Sequence, residues 1–311
     1  MNVHVVRDRT KPVRGIWIPI AFNMRNPAPQ PLSLTRGHNA AQVVKIRPLT
    51  VRDFAERKRE GEKLVVMTAY DALFGRLVDE SGVDAILVGD SVGTAVMGYS
   101  STLPVTLDHM IYHASAVRRG VKRALIIIDM PFLSYQASIE SAVLNCGRAI
   151  QETGVAAVKV EGGSHEMLDT VHALVRTGIP VMAHIGFTPQ SVNTIGGARV
   201  QGREEEGAER LIGEAKGLEE AGAFAIVLEL VPAAVSARIT AAVGIPTIGI
   251  GAGAHCDGQV LVLPDVLGLN DTFQPKFLKR YAEMAADVRT AIGGWAGDVR
   301  SGAYPDADHS F

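Results

Sequence analysis

Lys159 and Glu161 stand two positions apart in Ala157-Val-Lys-Val-Glu161, an otherwise apolar run that ends in Gly162-Gly163. In an extended strand such a spacing puts both side chains on one face. A buried charge without a partner is strongly destabilising, so this face calls for a metal, a ligand or a partner group. Other apolar runs end in the same way, in Gly89-Asp90-Ser91, in Asp129-Met-Pro131, at His184 and at Glu229. Asp90, Asp129 and Glu161, with no cysteine beside them, form a hard oxygen donor set that suits Mg2+ better than zinc. A metal there would polarise a carbonyl and stabilise an enolate. Lys159 would neutralise a substrate carboxylate. Glu229, on a strand the metal does not need, would be the base that removes a proton α to the carbonyl. His184 would orient a carboxylate or the substrate. Taken singly, each residue has a plainer reading: a helix-capping or turn Asp, a hydrogen-bonded core His, a salt-bridged Glu. Five consecutive strands with polar residues at the same end make the functional reading of the set.

The elements that must position these residues alternate along the chain. Apolar runs at Lys63–Tyr70, Ala85–Asp90, Ala124–Met130, Ala157–Glu161, Pro180–Gly186, Ala225–Glu229, Pro246–Gly251 and Gln259–Leu263 read as strands. Helical patterns lie between them, at Asp71–Glu80, Leu107–Arg119, Ser138–Glu152, His165–Arg176 and Glu204–Glu220, with Pro232 opening the next and Pro275–Ala291 the last. Eight strands alternating with helices predict an α/β fold, a (β/α)8 TIM barrel whose active site sits at the C-terminal ends of the strands. An open doubly wound sheet would announce a Gly-rich phosphate turn after its first strand, and Thr68-Ala-Tyr-Asp71 is not one. Thr50 is expected to cap a short helix that Gly61 ends. Gly249-Ile-Gly251-Ala-Gly253 reads as a tight turn at the barrel mouth rather than as a phosphate cradle, and Thr188–Arg203 as a long loop on the functional face.

At 311 residues the chain has the length of one barrel plus extensions. Its 47% hydrophobic content with only 5% aromatic implies a core of Val, Ile, Leu and Ala, as parallel strands buried on both faces require. Acidic and basic residues nearly balance, 33 against 31, so charge argues for neither nucleic acid nor a membrane as partner. The charge-free stretch Ile239–Ala254 is broken by Pro246 and several glycines and makes no membrane span. Cys146 and Cys256 are too few and too far apart for a zinc site, which leaves two reduced thiols in a cytoplasmic protein. Residues 1–47 stand apart, with eight Lys or Arg, one acid (Asp8) and Pro-rich patches. They are expected to form a disordered basic extension before a catalytic barrel over residues 48–311, or to precede a working start codon further along.

These strings together resemble the ketopantoate hydroxymethyltransferase family. The resemblance runs in order through Thr68-Ala-Tyr-Asp71, Val88-Gly-Asp-Ser91, Ser101-Thr-Leu-Pro-Val-Thr106, Asp129-Met-Pro-Phe132 and Lys159-Val-Glu-Gly-Gly163. It continues through His184-Ile-Gly-Phe-Thr-Pro-Gln-Ser191, Val200-Gln-Gly-Arg203, Val227-Leu-Glu229, Ile248-Gly-Ile-Gly-Ala-Gly253 and His309-Ser-Phe311. It implies a barrel of the phosphoenolpyruvate/pyruvate-type superfamily that uses Mg2+. The implied reaction transfers a one-carbon unit from 5,10-methylenetetrahydrofolate to 3-methyl-2-oxobutanoate, giving 2-dehydropantoate on the way to pantothenate and coenzyme A. It also implies a cytoplasmic homo-oligomer, commonly a decamer. By resemblance Asp90, Asp129 and Glu161 match the metal positions, Asp90, Ser91, Asp129 and Lys159 the keto-acid contacts, and Glu229 the proton acceptor. Ser100, Ala198 and Phe187 depart from the family pattern, where Asp, Tyr and Leu are usual, and the last two bear on folate contacts.

Two rival readings are weighed. A C–C lyase of the isocitrate lyase kind would share the metal–enolate chemistry, but neither cysteine lies in the active-site string such lyases carry. A non-catalytic metabolite-binding barrel would be expected to lose the base, and Glu229 is present.

Overall fold

The computed structural model describes residues 47–311, so the basic extension expected over the first 47 residues lies outside the described residues but for Arg47. Strands β1 (Leu64–Thr68), β2 (Ala85–Val88), β3 (Leu125–Asp129) and β4 (Ala157–Glu161) pair in parallel in chain order. They continue with β5 (Val181–Gly186), β6 (Ala225–Glu229), β7 (Thr247–Ile250) and β8 (Gly258–Leu261), and β8 returns to β1 to close the barrel. The expected (β/α)8 barrel is the observed one.

The core has two layers because successive strand residues point to opposite sides. Inside the barrel Val66, Leu87, Leu125, Ile127, Ala157, Met182, Ala225, Val227, Ile248 and Val260 pack together. Outside it, Ile86, Ile126, Ile128, Val158, Val160, Ala183, Ile226 and Leu228 meet the apolar faces of the surrounding helices. These helices are α2 (Ala72–Glu80), the single turn α3 (Val92–Ala95), α4 (Leu107–Gly120), α5 (Ile139–Thr153) and α6 (His165–Arg176). After β5 come a 3-10 turn (Pro189–Ser191), the short α7 (Val192–Ile195) and α8 (Glu205–Glu220), then α9 (Ala233–Ala242) after β6. Their starts follow from capping: Asp71 accepts from the Phe74 N–H, Ser138 from that of Ser141 and Ser164 from that of Met167.

The N-terminal mouth is closed by helix α1 (Val51–Glu60), which precedes β1. Its Phe54 is 1% exposed, joins the interior cluster and meets the edge of Phe224 at a centroid distance of 5.5 Å. Lys58 donates to the carbonyls of Thr240 and Ile245 and to Asp257, tying the helix to the bottoms of β7 and β8.

Two boundaries differ from expectation. Pro232 is the residue before α9, not its first residue. The last helix begins at Met284, not Pro275, and runs on to Ser301 past Gly293-Gly294. Over residues 275–283 tertiary bonds displace the local helix. Tyr281 donates its N–H to the Val266 carbonyl, Met284 to that of Leu267, and the Arg280 guanidinium holds the carbonyls of Asn270, Asp271 and Phe273. The acceptors come from the short helix Leu263–Val266 after β8 and its C-terminal side.

Candidate active site

Register brings the charged residues together. Asp129 lies opposite Lys159, Glu161 opposite His184 and Gly186 opposite Glu229. Partners in a parallel sheet share a face. Here it is the interior face, since Ile127, Ala157, Met182 and Val227 precede these residues at a spacing of two. Asp129, Glu161 and Glu229 are the last residues of their strands, and Asp90 follows β2, so all stand at the C-terminal mouth. Asp90, Asp129, Lys159, Glu161 and His184 are at most 6% exposed. The Glu229 side chain is 18% exposed, the most open carboxylate of the set.

The contacts run as a chain across the strands. Lys159 Nζ donates to Asp129 Oδ1 at 2.5 Å, and the Asp90 N–H donates to Asp129 Oδ2 at 3.1 Å. His184 lies between two carboxylates, Nδ1 at 3.5 Å from Glu161 Oε1 and Nε2 at 3.3 Å from Glu229 Oε2. Those are ion-pair distances, but neither ring nitrogen is aligned for a hydrogen bond, and Glu161 Oε1 has none either. Ser91 Oγ is 2.9 Å from Tyr70 Oη, which turns the serine into the same mouth. The backbone around Glu229 is unusual. Its carbonyl accepts from the Phe187 N–H, and Gly186 opposite, at φ +93°, leaves only 2.3 Å for a Cβ before that oxygen. Leu230, directly after Glu229, sits at φ 49°, a left-handed conformation that a branched side chain adopts at a cost, held by bonds from its own N–H to Ile250 O and from Gln201 N–H to its carbonyl.

Burial and crowding set the protonation states. Burial, then the neighbouring Asp129 and Glu161 carboxylates, push the Asp90 carboxyl well above the usual range, against Lys159 and Gln190. Burial opposes the charge on Lys159, but Asp129, Glu161 and Asp90 outweigh it and raise its pKa. Burial likewise works against an ionised Glu161, yet His184 and Lys159 draw it below its ordinary value. His184 is pressed down by burial and Lys159, and the two flanking carboxylates still lift it to about 9. Opposed shifts of this kind within one cluster are the arrangement that acid–base sites use.

Four carboxyl groups (Asp90, Asp129, Glu161, Glu229) face two cationic side chains (Lys159, His184); with all four ionised, the excess of negative charge is one that a divalent cation would balance. Among the described residues no three His, Cys, Asp or Glu side chains are gathered into a metal cage. A cation such as Mg2+ would need only one or two carboxylates and would complete its shell with water and substrate oxygens. Asp90 and Asp129, joined by the hydrogen bond from the Asp90 N–H to Asp129 Oδ2, fit that role. A cavity of about 820 Å3 lies elsewhere, between the start of β1 and the ends of β6 and β7, lined by Leu64, Val231, Ala254 and Phe277 among others. It touches none of the charged set.

All seven residues named from sequence (Asp90, Ser91, Asp129, Lys159, Glu161, His184, Glu229) sit at this mouth. Two that were not named join them. Tyr135 accepts the Glu161 N–H through its Oη at 2.9 Å, and Gln190 bonds both Asp90 and Glu161. A glutamine beside Pro189 was the available signal, but nothing in its spacing says that its loop folds inward. Gly251 and Gly253, at φ +64° and +82°, form the expected turn from β7 toward β8.

Comparison with known proteins bears on this geometry. The model of the family described as ketopantoate hydroxymethyltransferase matches residues 48–307. The chain belongs to that family. The 3-methyl-2-oxobutanoate hydroxymethyltransferase of Geobacter metallireducens is 52% identical over 85% of this chain and 99% of that protein. That of Pelobacter propionicus is 53% identical over 85% and 98%, and that of Clostridium novyi 52% over 84% and 95%. Among solved structures, 2,3-dimethylmalate lyase, a PEP mutase/isocitrate lyase superfamily member, aligns with a TM-score of 0.53 at 15% identity, over 84% of this chain and 91% of that one. Phosphonopyruvate hydrolase, crystallised with oxalate and Mg++, aligns with a TM-score of 0.54 at 13% identity, over 84% and 93%. At those identities the likeness is one of fold alone, the (β/α)8 barrel. The ketopantoate hydroxymethyltransferase family therefore reaches this chain through half-identical relatives over the whole barrel, and the barrel type through distant ones.

Proposed function

We propose that this protein is a 3-methyl-2-oxobutanoate hydroxymethyltransferase, which uses 5,10-methylenetetrahydrofolate to convert 3-methyl-2-oxobutanoate to 2-dehydropantoate in pantothenate synthesis. The observation that carries the reading is the row Asp90, Asp129, Lys159, Glu161 and His184, buried at the barrel mouth of a family member, with the partly exposed Glu229 at its edge. Asp90 and Asp129 would hold Mg2+, with Glu161 beside them, and the ion would supply Lewis-acid polarisation of the 2-oxo group. Lys159, with one N–H given to Asp129, keeps two for the substrate carboxylate. Ser91 lines the same keto-acid site. Glu229 takes the proton from C3, and His184 beside it holds its carboxylate in place with a positive charge. One of the two C–N bonds of the folate's methylene carbon opens, its nitrogen taking up a proton, and the C3 carbanion, delocalised as the enolate, bonds to the iminium carbon so formed. Water then cleaves the second C–N bond, leaving its hydroxyl on the transferred carbon and releasing 2-dehydropantoate and tetrahydrofolate. The working form is a cytoplasmic homo-oligomer, a decamer by family resemblance, with small molecules rather than nucleic acid or membrane as partners. Among the described residues no helix is long and apolar enough to cross a membrane.

The test is a coupled assay of 3-methyl-2-oxobutanoate consumption, with and without the folate and with and without Mg2+. Consumption is expected only when both are present. No consumption under any condition overturns the activity, and full rates after chelation overturn the metal role alone.

A further inference from the structure

Gln190 lies on the 3-10 turn after β5 and is 5% exposed. Its side-chain amide is saturated. Nε2 donates to Asp90 Oδ2 at 3.0 Å and to the Met130 carbonyl at 2.8 Å. Oε1 accepts from Tyr135 Oη at 2.8 Å and from Gln136 Nε2 at 2.8 Å. The partners dictate which way the amide points: the Met130 carbonyl can only accept, and Tyr135 Oη, already accepting the Glu161 N–H, has its own hydrogen to give. The main-chain N–H of Gln190 donates to Glu161 Oε2 at 3.0 Å. One loop residue thus engages one oxygen of each of two carboxylates that come from different strands. The second oxygen of Glu161 faces His184, and among the described residues nothing donates to Asp90 Oδ1.

We infer that Gln190 is a positioning residue, which fixes the Asp90 and Glu161 carboxylates by one oxygen each so that Asp90 presents the other to the bound divalent cation. This rests on the reading of Asp90 and Glu161 as residues of the Mg2+ site. The physical reason is crowding. Asp90, Asp129 and Glu161 are buried together, and a carboxyl group without a fixed donor in such a place turns away from its neighbours, which removes it from the cation. A neutral amide with two donors aimed at Asp90 and a carbonyl stops the rotation without adding charge. Hydrogen bonds to metal-binding carboxylates are commonly worth 10- to 100-fold in metal affinity.

The experiment compares the full-length wild type with Gln190→Leu and Tyr135→Phe, using Mn2+ and Mg2+ as probes in titration calorimetry, with thermal melts and Mg2+ activation curves in parallel. Gln190→Leu is expected to weaken metal binding about 10- to 100-fold. It should raise the Mg2+ concentration for half-maximal rate by the same factor, with kcat recovered by excess Mg2+. A lower Tm with unchanged metal affinity means a structural role only and overturns the inference. Tyr135→Phe removes the hydroxyl that orients Gln190 Oε1 and keeps the question decidable if Gln190→Leu does not fold. Several-fold weaker binding supports the inference, and unchanged binding overturns it. A wild type that binds neither ion removes the metal reading, and the inference with it, whereas equal binding by wild type and variants removes the inference alone.

Discussion

At the scale of single residues, the division of labour follows from access. Glu161 is enclosed between Gln190 and His184, and Asp129 is engaged by Lys159 and the Asp90 N–H. Glu229 touches His184 through one oxygen and is the most exposed carboxylate of the set. In the proposed reaction it is the group that meets the substrate C–H bond. Glu229→Gln keeps the shape and removes the base, so kcat should fall by about 100-fold or more with little change in keto-acid binding. Steady-state kinetics with isothermal binding of the keto acid checks this, and near-wild-type turnover would assign the proton transfer elsewhere. The spacing of two in Lys159-Val-Glu161 was enough to place both side chains on one face. It did not say that Lys159 meets Asp129 while Glu161 meets His184. That pairing is set by the offset between neighbouring strands.

At the scale of elements, the helix Val51–Glu60 supports the site from the far end by closing the barrel floor. Phe54 fills the interior beneath the charged layer, so Phe54→Ala should cost about 3–5 kcal/mol, read by denaturant unfolding, while a cost under about 1 kcal/mol would mean the floor collapses to refill the space. The start of this helix carries a pH dependence. Asp53 accepts from the N–H and Oγ1 of Thr50 and is paired with Arg47. The Arg47 guanidinium, ahead of the Thr50 bonds and against burial, holds the Asp53 carboxyl below the usual carboxylate range. A folded-state pKa below the unfolded value of about 3.9 means stability that is present above about pH 4 and lost as pH falls further. Since Arg47 is largely exposed, the contribution is about 1 kcal/mol or less. The Tm gap between wild type and Asp53→Asn should therefore be widest at neutral pH and narrow below pH 4, and a gap that does not change with pH would deny the ion pair any role. Thr50 and Gly61 announced this helix in the sequence because capping is local. The start of the last helix was not legible, because the carbonyls that hold residues 275–283 out of a helix come from elsewhere in the fold.

At the scale of the whole molecule, that last helix turns Val288, Ile292, Trp295 and Val299 outward, 40%, 58%, 58% and 45% exposed. Spacings of four, three and four put them on one stripe. An apolar stripe of this kind is what a second copy of the chain would cover in the homo-oligomer implied by family resemblance. Light scattering should then give a mass that is a multiple of 33.1 kDa. Ile292→Asp combined with Trp295→Asp should lower it. A wild-type monomer would remove the oligomer from the functional reading.

What the sequence alone determined was the alternation of strands and helices and the seven polar side chains that the fold brings to one end of the barrel. Each of these is encoded in local period: two for a strand face, 3.6 for a helix face, and polar residues recurring where apolar runs stop. Only the tertiary structure decided which charge meets which, that Glu229 keeps the open edge, and that Gln190 folds in from a loop to hold two carboxylates. Those outcomes depend on strand register and on loop closure over long sequence separations, where the energy is set by packing and desolvation at the point of contact rather than by the spacing of residues along the chain.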